Sequence, residues 1–147
     1  MNDHRALLIV EDSDEDFEVT CWALGQAGFT GPIRRCCRAE EALQQLCSVR
    51  PATAGAESLP DVVLLDLNLP GMNGQELLEE LRGNARPPAI PIVILSTSTN
   101  PRDIAACYRL GAAGYLCKPL SIDLFVEKLR SLLCYLFETV MLADASR

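Results

Sequence analysis

Four polar signals, each placed just after an apolar run, are the residues in this sequence with chemistry to offer. Glu11-Asp12 follow Leu7-Leu8-Ile9-Val10, Asp66 ends Val62-Val63-Leu64-Leu65, Ser96 follows Ile90 to Leu95, and Lys118-Pro119 follow Gly114-Tyr115-Leu116-Cys117. Three carboxylates brought together raise one another's proton affinity unless a cation offsets them. Oxygen donors beside a single Lys suit a hard divalent ion. Mg²⁺ fits better than Ca²⁺, which takes more oxygens and a loop of the EF-hand kind. An Asp beside such an ion can act as a nucleophile and form an aspartyl phosphate. The remaining work is electrostatic: Mg²⁺ takes one phosphoryl oxygen, Lys118 another, and the Ser96 hydroxyl or a backbone N–H a third. Singly, each residue has an ordinary use, since Glu11-Asp12 suit a helix N-terminus and Lys-Pro a turn. Only their joint placement argues for a site.

That placement depends on the elements between them. Leu7 to Val10 reads as a buried strand, and Ser13 with Asp16 three positions on reads as a helix start. Phe17, Cys21 and Leu24 share a helical face that Gly28 ends, Ile33 to Cys37 is a weaker strand, and Ala39, Ala42, Leu43 and Leu46 mark a second helix. The segment from Ser48 to Pro60, with Pro51 and Gly55, reads as the longest loop. Asp61 to Asp66 is the strongest strand, an unalternating apolar run of the kind covered on both faces in a parallel sheet. Leu77, Leu78 and Leu81 form a helix stripe ended by Pro87-Pro88, and Ile90 to Leu95 is another strand. Asn100-Pro101-Arg102-Asp103 starts a helix that Gly111 ends, and Ser121 caps a long last helix after the strand Gly114 to Cys117. The order is βαβαβαβαβα, which implies α/β architecture with a parallel sheet covered by helices on both faces. In such sheets ligands bind outside the carboxyl ends of the strands, where all four signals fall.

Composition narrows the function classes. With 147 residues, 49% of them hydrophobic and 22% charged, one globular domain is expected. The net charge of −7 argues against a nucleic-acid surface, and Arg34, Arg35 and Arg38 read as a solvated face. No apolar run reaches the ~18 residues of a membrane span, and the N-terminus lacks a cleavable signal pattern, so a cytoplasmic location is expected. Seven cysteines without a C-x-x-C pair do not suggest a disulfide framework. Cys21, Cys117 and Cys134 read as small hydrophobes, and adjacent Cys36-Cys37 as the pair to watch for redox behaviour.

With these motifs in order, the chain resembles the CheY-like receiver domains of bacterial two-component signalling. The matching text is Leu8 to Asp12, Val62 to Gly74, Ile92 to Thr97, and Gly111 to Pro119. The resemblance implies a flavodoxin-like (βα)5 three-layer sandwich with sheet order 2-1-3-4-5. It implies Asp66 as phosphoacceptor, with Mg²⁺ (Mn²⁺ as substitute) held by Asp12, Asp66 and the backbone carbonyl of Asn68, and by Glu11 mainly through water. It also implies that Ser96 hydrogen-bonds the phosphoryl group, that Lys118 pairs with it, and that Tyr115 is an aromatic switch turning inward as Ser96 moves. Glu11 stands where many members carry Asp, and Ser98 occupies a position that tunes phosphoryl lifetime in the family. The implied partners are a sensor histidine kinase and a downstream protein, and the expected behaviour is that of a switch and not a metabolic enzyme.

A narrower resemblance is to the single-domain regulators of bacterial and cyanobacterial phytochromes, on the loop before Asp61, Leu67 to Pro70, Ser96 to Ser98 and Phe137 to Leu142. Such regulators often pair through the last helix. Here Leu124, Phe125, Leu129, Leu132, Leu133, Leu136, Phe137 and Val140 make an apolar stripe longer than one sheet face should cover, which suggests homodimerisation. The expected layout is a receiver domain over 5–142, with 121–142 as dimerisation element and 143–147 as a tail. Two rivals share parts of the pattern. A haloacid-dehalogenase-type phosphatase needs D-x-D on the first strand, whereas the nucleophile here is on the third and Asn68 cannot do the proton transfer. A flavodoxin needs a neutral phosphate loop, which Glu11 to Asp16 is not.

Overall fold

The computed structural model describes residues 5–47, 59–84 and 89–139. Five strands, β1 (Leu7–Val10), β2 (Ile33–Cys36), β3 (Val62–Asp66), β4 (Ile92–Ser96) and β5 (Gly114–Cys117), alternate with five helices. The helices are α1 (Asp14–Gln26), α2 (Ala39–Cys47), α3 (Gly74–Gly83), α4 (Pro101–Arg109) and α5 (Ile122–Cys134), the last running into a π-helical turn at Tyr135–Thr139. All strand pairs are parallel, in the order β2-β1-β3-β4-β5, the expected flavodoxin-like arrangement.

The strands alternate their side chains between two cores. Leu8, Val10, Val63, Leu65 and Ile94 face α2, α3 and α4, while Leu7, Ile9, Val62, Leu64 and Leu95 face α1 and α5. β3 is buried at every position, which is why its sequence shows no alternation. β4 begins at Ile92, two residues later than expected, because Pro91 lacks an N–H for the ladder.

The helix caps follow local chemistry. The Ser13, Asn100 and Ser121 side chains accept from the N–H groups of Asp16, Arg102 and Leu124. Asn73 and Glu76 form a reciprocal capping box at the start of α3 that sequence reading overlooked. Gly28 and Gly111 take positive φ where α1 and α4 end.

The last helix differs from expectation. Phe125, Leu129, Leu133 and Leu136 are buried in the chain's own core against α1 and the sheet, with Leu132 and Phe137 packed against its edge. Val140 lies outside the described residues. The stripe is covered because the loop after α1 extends the core past the strands: Phe137 stacks on Phe29 at 6.2 Å between ring centroids, under the Arg5 guanidinium. What α5 and its turn leave in solvent is instead Ile122, Leu124 and Tyr135. The expected loop at 48–60 and Pro87-Pro88 lie largely or wholly outside the described residues.

Smaller expectations change as well. Cys134 is exposed, off the buried face. Cys36 is buried, and burial pushes its thiol up to about 11, so it stays protonated and unreactive beside exposed Cys37. Of the arginines read as a solvated face, Arg38 is exposed beside Glu40, whereas Arg35 is partly buried and pairs with Asp14.

Candidate functional site

Register brings the site together. Val10 lies opposite Leu65, so Glu11 and Asp66 are the next residues along neighbouring strands. Ser96 lies opposite Cys117, and the Lys118 N–H donates to the Ser96 carbonyl at 2.8 Å. The four motifs therefore converge on one edge as successive strand ends, without any long loop having to find its place.

Carboxylate oxygens of Glu11, Asp12 and Asp66 lie within 4.8 Å of one another. Glu11, Asp66 and Ser96 are buried, at 3%, 9% and 1% exposure, whereas Asp12 is exposed. The Lys118 ammonium donates to Glu11 Oε1 at 3.0 Å, and the Ser13 N–H donates to Glu11 Oε2 at 3.3 Å. Glu11, one methylene longer than Asp, thus holds Lys118 in this structure. The Asn68 N–H donates to Asp66 Oδ1 at 3.2 Å.

Asp66 carries the electrostatic signature of the site. Burial pushes its carboxyl up to about 7, a hydrogen bond with Glu11 adds to this, and the Lys118 charge and the Asn68 N–H only partly offset it. A buried carboxyl so raised beside two other acids is a group that a divalent cation would relieve. The donor set fits the expected Mg²⁺: oxygens only, with an open cavity of about 590 Å³ lined by Asp12, Asn68, Ser96 and Asp103 for waters and phosphate oxygens.

The backbone after Asp66 is held closely. A Cβ on Gly74 would stand 2.7 Å from the Asp66 carbonyl oxygen and 2.9 Å from Leu67 Cα, so glycine is needed for α3 to start this near the strand end. Gly71, at φ +70°, turns the loop, and Glu40 of α2 accepts from the Met72 N–H at 2.7 Å.

Tyr115 is partly buried against the α4 side of the core, and its hydroxyl donates to the Ser98 carbonyl at 2.9 Å. Sequence reading missed two participants, Arg35 and Asp103, and gave Ser98 no structural partner. Arg35 donates from Nε to the Glu11 carbonyl at 3.0 Å and lies 4.7 Å over the Phe17 ring, fixing β1's end against α1. Ser98 and Asp103 join the Ser96 loop to α4 through a 2.7 Å hydrogen bond. Arg35 is the one with a visible signal, as a cation on a strand beside an acidic loop.

A doubly wound parallel sheet with acids, a hydroxyl and an ammonium on its carboxyl edge defines a CheY-like domain. The chain belongs to the response regulator receiver domain family, which it matches over residues 7–130, and so to two-component signalling. It is 38% identical over 117 residues to the probable methanogenesis regulatory protein FilR2 of Methanothrix harundinacea, spanning 80% of this chain and 74% of that one. Among solved structures it is similar to the phosphorylated cyanobacterial phytochrome response regulator RcpA, at a TM-score of 0.82 and 30% identity over 96% of this chain and 99% of RcpA. It is also similar to the Mn²⁺-bound form of response regulator Rcp1 of Synechocystis sp., at a TM-score of 0.79 and 28% identity, covering 95% and 99% of the two chains.

Proposed function

We propose that this receiver accepts a phosphoryl group on Asp66 from the phosphohistidine of a sensor kinase and signals by a change of conformation. One observation carries the proposal: Asp66 is a buried acid at a strand end, clustered with Glu11 and Asp12 and flanked by the Ser96 strand end and the Lys118–Glu11 pair. In the transfer, an Asp66 carboxylate oxygen forms a bond to phosphorus as the phosphorus–nitrogen bond breaks. The imidazole leaves with that electron pair. Ser96 and Lys118 are the donors available to phosphoryl oxygens, Lys118 by exchanging its bond to Glu11 for one to the new anion.

A divalent cation, Mg²⁺ with Mn²⁺ as a substitute, would be held by Asp12, Asp66, the Asn68 carbonyl and, through water, Glu11, and supplies positive charge that offsets the acids and the transferred oxygens. Likeness to RcpA supports a phytochrome-class kinase as donor. The protein turns over no metabolite in this account: it catalyses only its own phosphorylation and dephosphorylation, in the cytoplasm, and passes the signal to a downstream protein. Homodimerisation belongs to the same proposal, now through exposed Leu124 and Tyr135 in place of the buried stripe.

Acetyl phosphate with Mg²⁺ tests the phosphoacceptor. Intact mass should show one phosphoryl group on the wild type and none on Asp66→Asn, and equal modification of the two would overturn the proposal.

A further inference from the structure

The acidic cluster leaves one question open: what fixes Asp12. Glu11 is held by the Lys118 ammonium and the Ser13 N–H, and Asp66 by the Asn68 N–H. Asp12 is exposed, and among the described residues its side chain has no hydrogen-bond or ion-pair partner. The place of its carboxylate is therefore set by the backbone on either side of it.

One side chain from β2 reaches both sides. Arg35 donates from Nε to the Glu11 carbonyl at 3.0 Å and from Nη1 to Asp14 Oδ1 at 2.8 Å, so a single guanidinium bridges the residue before Asp12 and the first residue of α1. It also lies 4.7 Å over the ring of Phe17, one turn further along that helix. Its remaining nitrogen, Nη2, is buried and has no hydrogen-bond partner among the described residues, so the whole fork is committed to this segment. Asp14 is largely exposed, and an ion pair so placed adds little by its attraction alone. What the planar fork adds is geometry, since it ties two backbone positions to one rigid group.

We propose that Arg35 is a positioning residue for the divalent cation: it staples residues 11–14 across Asp12 and so presents the Asp12 carboxylate to the ion already ordered. The ion rests on the metal reading above; the staple itself rests on the hydrogen bonds of this structure. The expected sign separates a staple from a charge effect. Arg35 is a cation beside a cation site, so by charge alone its removal would tighten metal binding. A staple predicts the reverse, because without it the ion has to order the segment as it binds. Arg35 touches neither the ion nor the phosphoryl group in this role.

Mn²⁺ titration followed by electron paramagnetic resonance, with thermal melts to confirm folding, tests the effect on the ion. Arg35→Met should weaken Mn²⁺ binding about tenfold, the low end of what lost outer-shell support costs a metal site. Arg35→Lys keeps the charge but not the fork, so its affinity should fall between Arg35→Met and wild type, and it carries the comparison if Arg35→Met does not fold. Unchanged or tighter binding in Arg35→Met, or wild-type affinity in Arg35→Lys, would overturn the positioning role. Amide hydrogen exchange by NMR in the metal-free proteins tests the staple itself. The N–H groups of Ser13, Asp16 and Phe17 bond within this segment, and their exchange should quicken about threefold or more in both variants. Equal exchange in the three proteins would overturn the staple. If wild type takes up no Mn²⁺, the metal reading fails, and exchange in the metal-free variants still decides the staple.

Discussion

Asp66 sits in a balance that pH and charge substitutions can move. An isolated Asp titrates near 3.8, and the folded protein raises this group to about 7. The folded state therefore holds a proton on Asp66 that the unfolded chain has released between those values, so this residue's contribution to stability falls as pH rises through that window. Without metal, the melting temperature of wild type should drop relative to Asp66→Asn between about pH 4 and about pH 7. Added Mg²⁺ should narrow the gap by holding the ionised form. Parallel curves for the two proteins would contradict this origin of the shift. Lys118 makes a second test. Its ammonium neutralises the buried Glu11 carboxylate, so Lys118→Met should cost about 3 kcal/mol or more, and Glu11→Gln in the same chain should recover much of that loss. Denaturant titration of the two single variants and the double variant gives the coupling. The four strand-end motifs were legible in sequence because they are short and local. That Lys118 pairs with Glu11, and that Arg35 grips the Glu11 carbonyl, depends on neighbouring strands and has no local signature.

Elements transmit what the residues do, and two glycines show where space is fixed. Gly74→Ala places a Cβ against the Asp66 carbonyl oxygen and Leu67 Cα, so it should destabilise the fold by about 1–3 kcal/mol and slow phosphorylation by shifting the strand end. Gly25→Ala, on a helix with nothing within 4 Å of the added carbon, should stabilise by about 0.4–1 kcal/mol and leave phosphorylation unchanged. Thermal melts with a phosphorylation assay distinguish the two, and equal behaviour would contradict the close approach at Gly74. Three of the helix starts were readable from Ser13, Asn100 and Ser121, because a cap is a local pattern. The Asn73–Glu76 box is equally local and was overlooked beneath the motif that contains it. The apolar face of α5 was legible as a stripe, but not what covers it. Phe29 and Arg5, more than a hundred positions earlier in the chain, close over its end, and no periodicity reports such a contact.

At the scale of the whole molecule, the alternating pattern and the unbroken apolar run before Asp66 were enough for the parallel sheet and its two helical layers. The strand order followed from family resemblance and agrees with the pairing observed. Because α5 serves the core, Leu129→Ala should cost about 2–5 kcal/mol. Association should respond instead to Leu124→Asp and Tyr135→Asp, at positions 48% and 57% exposed. Sedimentation that shows wild type monomeric at micromolar concentration, with and without phosphorylation, would remove the dimer from the account.

The central claim is that one carboxylate, Asp66, takes the phosphoryl group. An acyl phosphate is reduced by borohydride to an alcohol, which converts the modified Asp to homoserine and marks its position permanently. After treatment with acetyl phosphate and Mg²⁺, peptide sequencing by mass spectrometry should find homoserine at position 66 alone. Homoserine at position 12, or phosphate uptake that leaves residue 66 unreduced, would contradict the account.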